Sequence, residues 1–136
     1  MVAPSDATGF AAAVALYPAC GIRLGDWRAD GSGIYKPRAP LLILSGELDD
    51  WTPAAPCKNL CEVAQQAGYP VSIKIYAGAH HTFDSARPVH FVATRMNVNA
   101  PGGRGATTGG NAAAWADSIH EVIAFFDQHP RNPGKE

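Results

Sequence analysis

The chain has 136 residues, of which 46% are hydrophobic and 17% are charged, and this composition excludes an extended disordered protein. Its length suits one folded domain, which we expect to span residues 1–129, with residues 130–136 as a frayed C-terminal tail. The formal net charge is -1 and the sequence has neither a basic stripe nor a charge run, so we expect no nucleic-acid partner and no acidic-membrane partner.

The first predicted element is a buried strand in FAAAVALYP, residues 10–18, because this run is continuously apolar and ends in a proline. The same region superficially imitates a secretory or lipoprotein signal, because its apolar stretch ends just before Cys20. Asp6, Pro18 and the absence of Lys and Arg before residue 23 argue against that interpretation. No window is long and apolar enough for a membrane helix, so we expect a cytoplasmic protein.

Two further strands are predicted downstream. The run APLLILSG, residues 39–46, is again continuously apolar and predicts a second buried strand. In VSIKIYAG, residues 71–78, apolar residues alternate with polar ones, which predicts a strand with one wetter face at the edge of a sheet.

A helix is predicted between these two strands, within residues 49–68. Pro53 suits the first helical position, Asp50 or Thr52 suits the N-cap, and Gly68 suits the C-terminal stop. The apolar stripe of this helix consists of Cys57, Leu60, Cys61 and Ala64.

The last third of the chain begins without regular structure in this prediction. Residues 84–110 hold no convincing periodicity, and NAPGGRGATTGGN, residues 99–111, predicts a flexible glycine-rich loop. A phosphate cradle is a weaker alternative for these glycines, because no Lys-Ser/Thr pair follows them. Residues 111–128 then predict an amphipathic helix in which Trp115 and Phe126 are core anchors. Its apolar face is formed by Trp115, Ile119, Val122 and Phe126.

This order of elements predicts an α/β fold. A short, mainly parallel sheet of about three strands would be flanked by helices in a three-layer arrangement. The first strand is as apolar as an interior strand, so its outer edge should be covered.

Three cysteines occur, which is an odd number, and nothing in the sequence indicates export, so we expect reduced thiols. Cys57 and Cys61 lie four residues apart on the predicted helix, which leaves zinc ligation open, although no second pair is close. A disulfide from Cys20 to either of these two cysteines is a further alternative.

Polar side chains follow two neighbouring strands at the same end of the predicted sheet. Asp49 follows the second strand, and YAGAHHTFD, residues 76–84, follows the third. A carboxylate that fixes the tautomer of an imidazole is part of a nucleophilic hydrolysis site. A metal site formed by His80, His81 and Asp84 is a weaker alternative, because consecutive histidines point in different directions.

Three blocks of the sequence, YPACG, GELDDWTPAAPC and YAGAHHTFD, resemble the dienelactone hydrolase family of the α/β-hydrolase superfamily. The resemblance implies a fragment of that fold that corresponds to the C-terminal half of a family member. It implies Asp49 as the catalytic acid and His81, in an A-x-H-x-F context, as the catalytic histidine. It further implies a small ester or lactone as ligand, with no cofactor and no metal. Asp50 is then expected to cap the helix or to interact with its dipole.

The nucleophile of that family is missing from this sequence. No G-x-C-x-G or G-x-S-x-G elbow occurs: Ser32 lies in the irregular stretch DGSGI, and Cys20 lacks the first glycine and the helix. We therefore expect a hydrolase-like half-domain that is inactive alone and forms a homo-oligomer through residues 10–17. The alternative is an ester or lactone hydrolase whose nucleophile comes from another chain or from a subunit, with Cys20 as one source.

Overall fold

Three strands form a parallel sheet at the centre of the computed structural model, which describes residues 9–131. The strands are β1 (Ala13–Leu16), β2 (Leu41–Gly46) and β3 (Val71–Tyr76), in the spatial order β1-β2-β3. Two helices, α1 (Ala54–Gln66) and α2 (Ala112–Gln128), complete the main unit. The prediction of an α/β fold with a short, three-stranded parallel sheet is confirmed, and β3 lies at an edge as expected.

The sheet separates two clusters of buried side chains. Successive residues of a strand point to opposite faces, so Ile43 of β2 packs on one side while Leu42 and Leu44 pack on the other. The predicted stripe of α1 is buried on the first side: Cys57, Leu60, Cys61 and Ala64. On the second side, Ala114 of α2 packs with Phe83. The molecule therefore has three layers.

β1 is less covered than its sequence predicts. We expected a strand buried on both faces, but β1 has one exposed residue followed by three partly buried ones. The amides of Ala13 and Tyr17 donate to the β2 side, to Pro40 O at 2.9 Å and to Leu44 O at 2.7 Å. Within residues 9–131 no strand pairs with the other edge of β1, which explains the exposure.

A disulfide joins Cys20 to Cys57, so the expectation of reduced thiols is wrong for these two residues. The fold places the turn after β1 against the first half of α1, and this brings the two sulfurs together. Cys61 is the one free cysteine of the described chain and is buried against the carbonyl of Val71. Because Cys57 is oxidised, it cannot act with Cys61 as a zinc ligand.

Residues 90–108 form a β-hairpin where we predicted a flexible loop. β4 (His90–Met96) pairs antiparallel with β5 (Arg104–Thr108), and a short 3₁₀ turn at Pro101–Gly103 connects them. The glycines have structural roles here. Gly105 has a φ of 99° and lies under the ring of Phe91, whose nearest atom would be 2.5 Å from an added Cβ.

The helix α2 is confirmed, but its anchors are not those predicted. Asn111 is the N-cap, and its side chain accepts a hydrogen bond from the amide of Ala114. Ala114 and Ser118 are the buried residues of the helix, whereas Trp115 and Phe126 are 38% and 45% exposed. A sheet of only three strands is too narrow to cover the whole apolar arc of α2.

No helix within residues 9–131 combines the length and apolar character needed to cross a membrane. The signal-like start of the chain falls partly in residues 1–8, and most of the predicted tail falls in residues 132–136. Both segments lie outside the described residues.

Candidate active site

The loops that follow β2 and β3 lie against each other at the carboxyl end of the sheet. The amide of Leu48 donates to Ala79 O at 2.9 Å, and the amide of Glu47 donates to Tyr76 O at 2.9 Å. A Cβ added to Gly46 would lie 2.4 Å from Ala79 O, so only glycine permits this approach. The close contact brings together the two side chains that the sequence singled out.

Asp49 and His81 form a buried hydrogen-bonded pair. Asp49 Oδ2 lies 2.8 Å from His81 Nδ1, and the two side chains are 0% and 11% exposed. The other carboxylate oxygen, Oδ1, accepts hydrogen bonds from the amides of Trp51 at 2.9 Å and Thr52 at 2.8 Å. These bonds fix the carboxylate beside Nδ1. In the tautomer with the proton on Nδ1, the imidazole donates to Asp49 and its Nε2 lone pair is available to accept a proton.

The neighbouring residues His80 and Asp84 point elsewhere. His80 Nδ1 lies 3.1 Å from Leu48 O, and Asp84 Oδ1 accepts a hydrogen bond from the Tyr17 hydroxyl at 3.1 Å. His80, His81 and Asp84 therefore do not converge on one point. Across residues 9–131 no group of three or more His, Cys, Asp or Glu side chains could hold a metal ion.

Two aromatic rings flank the imidazole of His81. The ring centroids of Tyr17 and Trp51 lie 4.3 Å and 4.6 Å from that of His81. Burial, together with Asp84, raises the pKa of Tyr17 to about 12, so its phenol stays protonated and donates to the Asp84 carboxylate. Trp51 is held by its indole N–H, which donates to Met96 O at 3.0 Å, and by the guanidinium of Arg95 over its ring.

The β4–β5 hairpin supports the site from the side. The Thr108 hydroxyl and the Gly109 amide both donate to His81 O at 3.0 Å. Asp50 accepts a hydrogen bond from the Thr107 amide at 2.8 Å, so the prediction that Asp50 caps α1 is wrong. The N-cap of α1 is Pro53, which we predicted at the first helical position, and the helix has no side-chain cap because a proline side chain offers no acceptor.

Thr52, which the sequence suggested only as a cap, belongs to the site. Its hydroxyl oxygen lies 2.9 Å from His81 Nδ1, 3.0 Å from Asp49 Oδ2 and 2.8 Å from Tyr17 O. The only sequence signal was a hydroxyl three residues after the acid, which is a common pattern in turns. The contact with Tyr17 joins residues 35 positions apart and depends on the tertiary fold.

The residues considered as substitute nucleophiles are not at His81. Cys20 is in the disulfide, so it has no thiol to activate in this state. The Ser32 hydroxyl donates to Asp30 Oδ1 at 2.6 Å within its own exposed loop. Thr52 approaches Nδ1, the nitrogen that also contacts Asp49, and not Nε2. Among the described residues, none forms a hydrogen bond with His81 Nε2.

Comparison with known proteins agrees with this architecture. A model of the dienelactone hydrolase family matches residues 1–130. A candidate dienelactone hydrolase from Klebsiella pneumoniae subsp. pneumoniae MGH 78578 is 18% identical, with a TM-score of 0.52 over 86% of this chain and 42% of that one. Esterase 2 of Thermogutta terrifontis, phosphorylated by paraoxon, is 20% identical, with a TM-score of 0.54 over 91% of this chain and 42% of that one.

The chain thus spans about two-fifths of the length of each of these solved structures. At identities of 18% and 20%, the likeness shows a shared fold. A search of curated proteins finds no match.

Proposed function

The chain belongs to the dienelactone hydrolase family, and on that premise we propose that Asp49 and His81 are the acid and histidine of a carboxylic-ester or lactone hydrolase site. The proposal includes the absence of turnover by this chain alone, because the sequence has no nucleophile elbow and no side chain within residues 9–131 forms a hydrogen bond with His81 Nε2. The observation that supports it best is the buried contact of 2.8 Å between Asp49 Oδ2 and His81 Nδ1.

The expected inactivity follows from the role of each partner in the pair. A carboxylate and an imidazole can remove a proton from an attacking hydroxyl or thiol, but they form no acyl intermediate without one. Loss of the nucleophile costs about a million-fold in rate in a well-studied hydrolase. Asp49 and His81 alone should therefore give no measurable saturable hydrolysis.

We expect the purified chain to show no saturable hydrolysis of p-nitrophenyl acetate, butyrate or octanoate. Wild type, His81→Ala and the matched control His80→Ala should give the same background rate, and neither fluorophosphonate nor iodoacetamide probes should label a residue in a His81-dependent manner. Co-expression with a family segment that carries a G-x-C-x-G elbow should restore hydrolysis that depends on His81. Saturable hydrolysis by the chain alone, lost in His81→Ala, would contradict the proposal.

A second candidate function is a working ester or lactone hydrolase whose nucleophile is supplied by another chain or subunit. The lack of a hydrogen bond to His81 Nε2 within residues 9–131 favours it, because that nitrogen remains available to a group from outside. Cys20 of a partner subunit is a poor source, since the disulfide consumes its thiol. An adjoining reading frame that encodes a G-x-C-x-G elbow would support this candidate.

We further propose that the chain self-associates through β1 and the neighbouring face of α2. Among residues 9–131 no strand pairs with the outer edge of β1, and backbone groups at such an edge favour pairing with a second strand. Beside it, α2 exposes an apolar stripe, defined by Trp115, Ile119, Ile123 and Phe126, each 38–55% exposed. A shallow cavity of about 190 Å³ lies between this stripe and Leu16 of β1, so the two features form one surface.

Light scattering at micromolar concentration should show a dimer or a larger oligomer. The double substitution Ile119→Lys/Ile123→Lys should shift the protein to monomer, because it would bury two charges in the interface. Ile22→Lys is the matched control, since Ile22 is 47% exposed and follows Gly21, which lies against Pro56 of α1 and not against α2. A monomeric wild type whose amides at residues 11–17 exchange freely with solvent would contradict self-association.

A further inference from the structure

The hydroxyl of Thr52 lies within hydrogen-bonding distance of three groups from three segments of the chain. The distances are 2.8 Å to Tyr17 O, 3.0 Å to Asp49 Oδ2 and 2.9 Å to His81 Nδ1. A threonine hydroxyl carries a single proton, and both the Tyr17 carbonyl and the ionised carboxylate can only accept. The number of protons that these groups share therefore limits which tautomer His81 can adopt.

The count of protons favours one tautomer of His81. If Nδ1 were unprotonated, the single Thr52 proton would face three acceptors. Nδ1 and the Asp49 carboxylate oxygen, 2.8 Å apart, would then both be acceptors with no proton between them. With a proton on Nδ1, the imidazole donates to Asp49 and lies beside an oxygen lone pair of Thr52, while the Thr52 proton goes to Tyr17 O. Every short contact except that between Thr52 and the carboxylate then joins a donor to an acceptor.

We propose that Thr52 is a positioning residue for the acid–histidine pair. Its hydroxyl holds His81 in the tautomer with the proton on Nδ1 and connects the imidazole to the end of β1. This inference rests on the proposed function of Asp49 and His81. It adds a residue that acts through them and does not itself meet a substrate.

The end of β1 depends on the same hydroxyl. Tyr17 has a φ of 41°, which is an uncommon conformation for a residue other than glycine and needs support from its surroundings. Its amide donates to Leu44 O at 2.7 Å and its carbonyl accepts from Thr52, so both of its backbone polar groups are fixed. Since the Tyr17 ring also lies against His81, Thr52 holds the imidazole both directly and through Tyr17.

Ring ¹⁵N chemical shifts of labelled histidine test this proposal in the full chain. Wild type and Thr52→Ser should both show His81 with the proton on Nδ1, because serine retains the hydroxyl. In Thr52→Val, which keeps the shape but removes the hydroxyl, the population with the proton on Nε2 should increase, and the Nδ1 proton should exchange with water about tenfold faster.

Thr82→Val is the matched control, because it removes the hydroxyl that hydrogen-bonds Thr108, whereas the hydrogen bonds of the His81 ring within residues 9–131 are to Thr52 and Asp49. Unchanged ring shifts in Thr52→Val, or equal changes in Thr52→Val and Thr82→Val, would overturn the proposal. If Thr52→Val does not fold, Thr52→Ala gives the same comparison. Hydrolysis by the chain alone would contradict the proposed function but leave the ring shifts as expected here, so the two failures are distinguishable.

Discussion

Replacing Cys20 and Cys57 with alanine is expected to lower the free energy of unfolding by about 4 kcal/mol. The disulfide joins residues 37 positions apart, and removal of a crosslink that closes a loop of this length restores a large conformational entropy to the unfolded chain. Urea denaturation of the wild type and the double variant measures the difference directly. A loss this large is a substantial part of the stability of a domain of this size.

The matched control for this prediction is reduction of the disulfide. A reductant should destabilise the wild type by a similar amount and should not further destabilise the double variant. Thiol titration of the denatured wild type should give one thiol before reduction and three after it, because Cys61 is the free cysteine. A wild type that titrates three thiols without reductant would show that the crosslink is absent.

Asp49→Ala is expected to lower the free energy of unfolding by about 3 kcal/mol, although Asp49 lies in a loop. The substitution leaves the amides of Trp51 and Thr52 without their acceptor, and each unsatisfied donor costs about 1–3 kcal/mol. Asp49→Asn should cost less, because its side-chain oxygen can still accept these two bonds. Its NH₂ group would then face His81 and favour the tautomer with the proton on Nε2.

Asp50→Ala is the matched control for Asp49→Ala, since it removes the adjacent carboxylate of the same loop. Asp50 is exposed and its carboxylate accepts one bond, from the Thr107 amide, so the loss of this carboxylate should cost less than about 1 kcal/mol. Urea denaturation of the three variants checks the order of the effects. Equal destabilisation by Asp49→Ala and Asp50→Ala would contradict the role that we assign to the buried carboxylate.

Much of the main unit could be predicted from local sequence patterns. The run LLILSG is apolar throughout, and it forms the interior strand β2 because a strand of a parallel sheet is covered on both faces. The stripe of α1 and the approximate bounds of α2 were also predicted from the sequence, since both depend on residues a few positions apart. The direction of parallel strands predicted that Asp49 and the adjacent His80 and His81 lie at the same end of the sheet, and the family resemblance implied that Asp49 and His81 are the acid and the histidine.

The errors concern features that depend on partners distant in the sequence. The β4–β5 hairpin has weak alternation of its own and is held by bonds such as that from Asn97 to Asp50 O, 47 residues away. The apolar residues of α2 predicted a buried face, but burial depends on the width of the sheet that the helix meets. The same limit explains the exposed edge of β1.

The sequence by itself determined the parallel sheet, its two helices and the end of the sheet at which Asp49 and His81 lie, because these follow from periodicity and from the direction of parallel strands. The roles proposed for the two side chains came from the family resemblance. Only the tertiary structure decided that Cys20 pairs with Cys57, that Asp50 bonds β5 and that Thr52 touches Tyr17 and His81. Each of these contacts joins segments 29–57 residues apart, and the spacing of residue types along a chain carries no information about which distant groups will meet.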